Sequence, residues 1–426
     1  MNLGTQMYEW AKDLFPINRS LTGEGVRQTL QYLKQIVPEL KIHSIESGKK
    51  VFDWEIPLEW NVNDAYILDE QGNKIADFKK NNLHLVGYSI PVNKIIGLDE
   101  LQKNLYSLEE QPEAISYITS YYNLHWGFCI SHNERKLLKP GNYKVFIDSS
   151  HTKGSLNYGE IILKGREEKE ILLSTYICHP SMANNELSGP VVTIALAKWL
   201  TALKNRRYTY RIVFLPETIG SIAYIHKNLA QLKANTLGGF VITCVGDNNN
   251  YSLLESRDNN AVFDKVTQHV LKYHTGDNYK RFSFLERGSD ERQYSSIGID
   301  IPMVSLMRTK YGEYKEYHTS LDNLDFISQE GLSGGYAVHE KAINILENNL
   351  CYKTTVLCEP QLGKRGLYPL LGTKNSQKEV RLMMNILAYA DGKTDLLSLA
   401  EKIEQDFFDC LPVAKKLLEH QLLITV

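Results

Sequence analysis

The sequence lacks several features that mark particular classes of protein. No stretch approaches the roughly 18 consecutive apolar residues of a membrane span, so we expect no transmembrane helix. The first residues, MNLGTQMYEWAKDLF, contain Glu9 and Asp13 and have no basic start and no continuous apolar segment. We therefore expect no signal peptide and a cytoplasmic protein.

Paired cysteines and an excess of charge are also missing. The cysteines are Cys129, Cys178, Cys244, Cys351, Cys358 and Cys410, and no two have the C-x-x-C spacing of a structural zinc ribbon. This distribution fits reduced thiols in a cytosol. Lys and Arg number 48 against 50 Asp and Glu, a net charge of −2, so no overall electrostatic footprint for nucleic acid is visible.

What is present is a soluble, globular composition in a chain of 426 residues, which predicts two or three domains. Residues 5–15 and 23–36 have helical spacing of apolar residues. From 49 onward the pattern changes to short β-like runs with turn signals, including a hairpin signal at 70–73. We predict that residues 49–141 form an inserted β-rich domain.

From residue 143 the sequence alternates between strands and helices. EILLSTYICH and YRIVFLPE are nearly continuous apolar runs, typical of strands that are buried on both faces. SGPVVTIALAKWLTAL and GSIAYIHKNLAQL have helical patterns. We therefore predict an α/β fold with a three-layer αβα core, built from residues 1–48 and 142–352 around a mainly parallel sheet.

The C-terminal segment shows a third sequence pattern. EVRLMMNILAYADG, DLLSLAEKIEQ and CLPVAKKLLEHQLL predict three helices, and a strand-like LLITV follows, so we predict a winged helix over 365–426. Residues 370–426 contain seven basic and eight acidic residues, a net charge of −1. A winged helix that reads DNA normally needs a basic face, so we interpret this one as a packing or dimerisation module.

Polar residues follow the predicted buried strands at their carboxyl ends, where ligand sites of such sheets lie. His179, Glu217 and Asp247 each come after one strand, and His318 lies beyond the last. Imidazole and carboxylate bind Zn²⁺, and a nearby Glu can take a proton from water. Each residue alone has a structural alternative, such as a hydrogen-bonded histidine or an acid at a helix N-terminus.

The order of these motifs resembles that of the co-catalytic zinc aminopeptidases. The quoted elements are STYICHP, NNELSG, FLPETIGS, a strand that ends in Gly-Asp, and EYHTSLD. FDWEIP, LHLVGYS, YYNLHWGFC and GSDERQY extend the resemblance to a bacterial subfamily linked to polysaccharide biosynthesis. The resemblance implies a zinc-exopeptidase-like core, a β-rich insertion and a C-terminal winged helix.

The resemblance is partial when the family's metal-binding and catalytic residues are matched to this sequence one by one. It implies that His179 and His318 are the first and last zinc-binding histidines and that Glu217 is the general base. The second Glu of the family's pair is here Thr218. The bridging Asp falls at Asn184 or Asn185.

Further carboxylates are displaced as well. The Asp that supports the first histidine is replaced by Ser181, and the strand-end Asp aligns near Thr243. Because a two-zinc site would lack negative charge, we expect one Zn²⁺ and leave a second one open. We expect His179, His318 and one carboxylate as ligands, with Glu186 as the first candidate and Asp247 as the second.

The segment GSDERQY places charged residues in one loop. Asp290, Arg292 and Tyr294 are candidates for substrate binding, and Arg292 could hold a carboxylate through two parallel hydrogen bonds. The alternative is a surface loop with an internal ion pair.

We therefore predict a zinc-dependent hydrolase of the aminopeptidase type that cleaves a peptide-like, aminoacyl-sugar or acyl-sugar amide. The alternative is an inactive aminopeptidase-like regulator or scaffold that uses its winged helix for DNA or protein contacts. We expect a small amide-bearing substrate and neither a membrane nor a nucleic acid as partner. Formation of a homo-oligomer is left open.

Overall fold

The computed structural model describes residues 2–368 and 374–426, excluding the side chains of 374–377. The chain forms two compact units. The larger comprises the residues up to Asp264 and Tyr279–Ala337, and the smaller comprises Lys265–Asn278 and the chain from Val338 onward. The helices are α1 (Leu3–Leu14), α2 (Glu24–Ile36), α3 (Leu98–Leu101), α4 (His132–Lys136), α5 (Ser188–Ala202), α6 (Ile219–Asn235), α7 (Val262–Thr275), α8 (Glu291–Tyr294), α9 (Gln329–Asn348), α10 (Lys374–Tyr389), α11 (Leu396–Lys402) and α12 (Phe407–Glu419).

The strands follow the predicted change along the chain, from a β-rich segment to alternating strands and helices. They are β1 (Lys41–Glu46), β2 (Lys50–Val51), β3 (Trp54–Glu55), β4 (Glu59–Leu68), β5 (Lys74–Asp77), β6 (Val92–Gly97), β7 (Leu105–Tyr106), β8 (Phe128–Cys129), β9 (Asn142–Thr152), β10 (Ser155–Leu163), β11 (Glu170–Tyr176), β12 (Thr209–Leu215), β13 (Thr236–Val241), β14 (Ser252–Leu254), β15 (Lys280–Phe282), β16 (Met303–Met307), β17 (Cys351–Thr354), β18 (Asp391–Asp395) and β19 (Leu423–Thr425).

The central sheet of the larger unit has eight strands in the order β1-β10-β12-β11-β13-β16-β14-β15. Its middle is parallel, from β12 through β11 and β13 to β16, whereas β1 and β10 are antiparallel at one edge. All seven residues of β11 and of β12 are buried, as their nearly continuous apolar sequences predict.

Helices cover both faces of this sheet. Successive residues of a strand point to opposite faces. Thr175 of β11 lies against Gly189 of α5. Its neighbour Ser174 instead contacts Tyr294 of α8, which packs beside α6. The helices α5 and α8 therefore lie on opposite faces, and the predicted αβα layering is confirmed.

The β-rich segment forms sheets of its own within the larger unit. A four-stranded sheet has the order β5-β4-β9-β6, and β2 pairs with β3 as a short hairpin. The strand β9 pairs with β4 and β6, so Asn142–Thr152 belongs to this sheet, although we placed residues from 142 onward in the core. Within the segment 49–141 that we predicted to be β-rich, the aromatic-rich stretch after 115 contains only the two-residue β8 and isolated bridges.

The smaller unit contains the tail. The strands β17, β18 and β19 form a three-stranded antiparallel sheet. The helix α12 packs against α10 and α11, with α11 beside β18 and α12 beside β19. Buried His269 of α7 lies between Glu401 of α11 and the backbone of α12, where it accepts a hydrogen bond of 2.9 Å from the amide of Phe407. Among residues 2–368 and 374–426, no helix combines the length and apolar character that a membrane span requires.

Candidate metal and catalytic site

Two neighbouring parallel strands bring His179 and Glu217 together. Tyr176 at the end of β11 is paired with Leu215 at the end of β12, and the chains continue side by side. The amide of Ile177 donates to the carbonyl of Leu215 at 2.9 Å, and the amide of Glu217 donates to Cys178 Sγ at 3.2 Å. As a result His179 Nε2 lies 3.8 Å from Glu217 Oε2.

His318 reaches the same place from the loop that follows β16. Its ring centroid lies 5.6 Å from that of His179. Its Nε2 is buried and has no hydrogen-bond partner among the described residues. The His318 backbone has a φ of 56°, in the left-handed region, and Tyr317 stacks on the ring at 3.9 Å. A non-glycine residue in this conformation is held there by its surroundings.

The surroundings that hold His318 come from the β-rich insertion. The amide of Tyr117 donates to the carbonyl of His318 at 2.9 Å, and Ser116 forms an isolated bridge with Thr319. The ring of Tyr117 lies 5.4 Å from the His179 ring and 5.2 Å from the His318 ring, edge to face with both. The insertion therefore supplies one wall of the site.

Glu186 lies on the far side of His179. Its Oε2 accepts a hydrogen bond of 2.8 Å from His179 Nδ1, and its Oε1 lies 3.3 Å from Arg19 Nε. Both side chains of this ion pair are fully buried. The ligand atoms of Cys178, His179 and Glu186 lie within 4.8 Å of one another, but the Arg19 cation beside them disfavours a metal ion on this side. The contact instead leaves Nε2 of His179 facing Glu217.

The pKa shifts follow from burial and from neighbouring charges. Burial, together with the charge of His179, lowers the pKa of His318 to about 3, so this ring is neutral at neutral pH. Burial lowers the pKa of His179, but Cys178 and Glu186 outweigh it and the net shift is upward. Burial raises the pKa of Glu217, although the charge of His179 opposes the shift.

A π-helical turn, Ala183–Leu187, connects β11 to α5. Asp322 fixes this turn, because its carboxylate accepts hydrogen bonds from the backbone amides of Asn184 at 2.6 Å and Asn185 at 2.9 Å. The Asn185 amide group donates to Tyr176 Oη at 2.8 Å. Its Oδ1 is buried and lacks a hydrogen-bond partner within the described part of the chain.

Asp247 lies in a separate, fully hydrogen-bonded loop. Its Oδ1 accepts from Thr309 Oγ1 at 2.6 Å and from the Asn249 amide at 2.9 Å. Its Oδ2 accepts from the Thr309 amide at 3.0 Å and from Asn184 Nδ2 at 3.1 Å. Because both oxygens are occupied, this position does not support Asp247 as a metal ligand.

The predicted substrate residues of the GSDERQY loop separate into different environments. Asp290 is fully buried, and its Oδ1 accepts from the Thr218 amide at 2.8 Å and from Ser221 Oγ at 2.7 Å. Burial and the charge of Glu217 raise the pKa of Asp290 to about 7. Tyr294 is also fully buried, 3.1 Å from Ser174 Oγ, so its position does not support a role in lining a pocket.

Arg292 does line a cavity. The cavity has a volume of about 240 Å³, and its walls are Leu21, Trp54, Tyr121, Tyr122, Glu217, Thr218, Ile219 and Arg292. Arg292 donates to Thr218 Oγ1 at 2.8 Å, and its buried Nε has no hydrogen-bond partner among the residues described. We name this space the Glu217 cavity. Three of its aromatic walls come from the insertion and were not predicted, since aromatic residues in a β-rich segment carry no signal for a site.

The geometry defines a class of protein. An αβα sheet that carries His179, Glu217 and His318 at its carboxyl edge is aminopeptidase-like. Similar solved structures include a zinc aminopeptidase, BSAP, from Bacillus subtilis (TM-score 0.57, 13% identity, 80% of this chain and 94% of that chain). Another is a peptidase M28 precursor from Shewanella amazonensis (TM-score 0.58, 13% identity, 84% and 97%). These likenesses show the fold.

Closer relatives define the family. Residues 8–349 match a family described as a domain of unknown function (DUF4910), and residues 349–425 match a winged helix-turn-helix family. This chain belongs to the DUF4910 family. A Clostridium acetobutylicum relative, 44% identical over 406 residues (95% of this chain, 92% of the relative), is provisionally named a polysaccharide biosynthesis protein with an aminopeptidase-like domain.

A crystal structure of a protein provisionally named a peptidase, also from Clostridium acetobutylicum, matches this chain with a TM-score of 0.94 and 43% identity, over 99% of this chain and 96% of that one. The resemblance, the αβα fold and the winged helix are thereby confirmed.

Proposed function

We propose that this protein is a metal-dependent hydrolase of an amide, in which His179 and His318 hold one Zn²⁺ and Glu217 is the general base. The observation that carries this proposal is the grouping of two imidazole rings, with centroids 5.6 Å apart, and a carboxylate oxygen that lies 3.8 Å from Nε2 of one of them, His179. Two imidazoles at tetrahedral zinc distances of about 2.0–2.1 Å would place their centroids roughly 5 Å apart, which is close to the observed spacing of the two rings.

A second ion does not fit these residues. The positions of the family's other carboxylate ligands hold Thr218, Thr243 and an asparagine, and Asp247 and Glu186 are engaged elsewhere. Two buried acceptors in the described part of this turn have no hydrogen-bond partner: Glu186 Oε1, which lies 3.3 Å from Arg19 Nε, and the uncharged Asn185 Oδ1. We propose this neutral oxygen as the third ligand in place of Glu186, which makes the expected zinc affinity modest.

Each protein group has a role that its contacts support. Glu186 orients His179, because a carboxylate on Nδ1 fixes the tautomer in which Nε2 is free to bind a metal. A bound zinc ion supplies Lewis acidity, which polarises an amide carbonyl and makes water more acidic. Glu217 accepts the proton of the attacking water and delivers it to the leaving amine, and its raised pKa suits both steps.

The experiment is elemental analysis of the purified full-length protein, before and after addition of zinc, with His179→Ala and His318→Ala. We expect about one zinc per chain in the wild type and its loss in both variants. The matched control is His84→Ala, since His84 is also buried but bonds the Cys129 carbonyl within the insertion. Zinc that persists in both site variants would contradict the proposed ligands.

The alternative is a protein without hydrolytic activity that acts as a regulator or a scaffold. The loss of carboxylates from the site is the observation that favours it. Absence of zinc from the supplemented wild type would support this alternative. The near-neutral tail argues for protein contacts rather than DNA contacts in that case.

A further inference from the structure

A second cavity adjoins the Glu217 cavity. It has a volume of about 510 Å³ and shares Tyr121 and Tyr122 with the Glu217 cavity as walls. Its other walls include Glu55, Tyr88, Asn123, His151 and Lys153. We name it the tyrosine cavity. Its size is that of a small-molecule site.

Aromatic rings surround this cavity. The rings of Tyr121 and His151 lie 6.1 and 6.0 Å from that of Tyr88. Tyr121 and Tyr122 remain 37% and 50% exposed, which leaves part of their apolar ring surface in water. A ligand that covers these faces would gain the burial that the protein alone does not provide.

Two of these tyrosines are held in a strained backbone conformation. Tyr88 has a φ of 63° and Tyr121 a φ of 44°, both in the left-handed region that a bulky residue rarely adopts. Tyr88 is fixed by its hydroxyl, 2.7 Å from Thr22 Oγ1, and by stacking on Trp60 at 5.3 Å. Strain of this kind concentrates at ligand sites, where the fold positions a side chain for contact.

The polar walls match a neutral ligand with many hydroxyls. Glu55 and Lys153 are of opposite sign, so the cavity has no net charge from its lining acids and amines. Asn123 and His151 add groups that can both donate and accept hydrogen bonds. A sugar ring presents an apolar C–H face to an aromatic ring and hydroxyls to such edges, whereas an extended peptide would need backbone partners.

We propose that the tyrosine cavity binds the sugar ring of a neutral N-acylated amino sugar whose amide extends past Tyr121 into the Glu217 cavity. This inference rests on the proposed function, because it names the substrate class of that site. Tyr122 is the principal contact, and its hydroxyl, which donates to the Glu55 carbonyl at 3.0 Å, anchors the ring to β3.

The test is calorimetric titration of the full-length protein with N,N′-diacetylchitobiose, a neutral sugar with two amides. We expect saturable binding to the wild type and binding about tenfold weaker in Tyr122→Ala, a difference of about 1.4 kcal/mol that is within the range of an aromatic contact. Tyr122→Phe keeps the ring and should keep most of the affinity. Tyr389→Ala is the matched control, because Tyr389 is 40% exposed and does not line this cavity.

Three results would overturn the subsite: no saturable binding to the folded wild type, equal binding to Tyr122→Ala, or Tyr122-dependent competition by the peptide Ala-Ala-Ala amide. Repeating the titration on zinc-chelated protein separates this inference from the proposed function. Sugar binding without any metal or hydrolysis would keep the subsite and remove the hydrolase. Hydrolysis of simple amides without sugar binding would do the reverse.

Discussion

Two strand ends of the same sheet carry acids in contrasting states. In the loop that follows β13, both oxygens of Asp247 accept hydrogen bonds, and the carboxylate holds this loop together. At the end of β12, Glu217 faces His179 at 3.8 Å and opens to a cavity. From sequence both look the same, an acid after a buried strand. The difference shows that an acid with both oxygens hydrogen-bonded supports the fold, whereas one that faces a histidine and a cavity is available for chemistry.

The largest effect should come from Glu217→Gln. Removing a general base costs roughly 10²–10⁴ in rate, while the isosteric amide leaves the histidines in place. We therefore expect amide hydrolysis to fall by about that factor with zinc content unchanged. The check is kcat on the best amide substrate beside elemental analysis. Unchanged kcat would show that Glu217 does not act as the base.

Asp247→Ala should affect stability instead of metal binding. The change leaves the donors of Thr309, Asn249 and Asn184 without an acceptor, which should cost about 3 kcal/mol of the free energy of unfolding. Denaturant unfolding of the two variants, Glu217→Gln and Asp247→Ala, measures the contrast directly. A loss of zinc from a folded Asp247→Ala protein would contradict the purely structural role that we assign to Asp247.

Glu186→Gln tests an acid with an intermediate role, because Glu186 bonds the proposed metal ligand His179 but does not face the proposed metal position. Loss of such a partner typically weakens metal affinity by about 10–100-fold. We expect zinc affinity to fall by this factor, measured by competition with a chelator of known affinity. Glu170→Gln is the control, since Glu170 is equally buried and paired with Arg211. Complete loss of zinc from folded Glu186→Gln would instead indicate that Glu186 is itself a ligand.

The smallest effect is expected from Asn185→Asp, which should strengthen zinc binding. A charged ligand in place of Asn185 Oδ1 adds the negative charge that the site lacks, and we expect affinity to rise about tenfold. The same competition measurement applies, with Asn184→Asp as the neighbouring control. Equal or weaker binding by Asn185→Asp would place this side chain outside the metal site.

The sequence predicted the αβα order and brought His179, Glu217 and His318 into one hypothesis, because apolar runs mark buried strands and their ends share one edge of a parallel sheet. It could not show that Glu186 and Asp247 have structural roles and are not metal ligands. Their partners, Arg19 and Thr309, are more than 60 residues away in the chain. Tyr117 was missed for the same reason: its contact with His318 exists only in the folded chain.

The hydrogen bond between the Tyr117 amide and the His318 carbonyl makes the insertion an obligate part of the centre. A shortened chain in which a loop replaces the insertion could retain the central sheet and still lose the second histidine, because nothing else described here supplies a backbone donor to that carbonyl. Exchanging the insertion between two relatives would then change both the ligand-contacting surface and the geometry of the histidine pair. Both features depend on the same inserted segment, so they are expected to vary together among relatives.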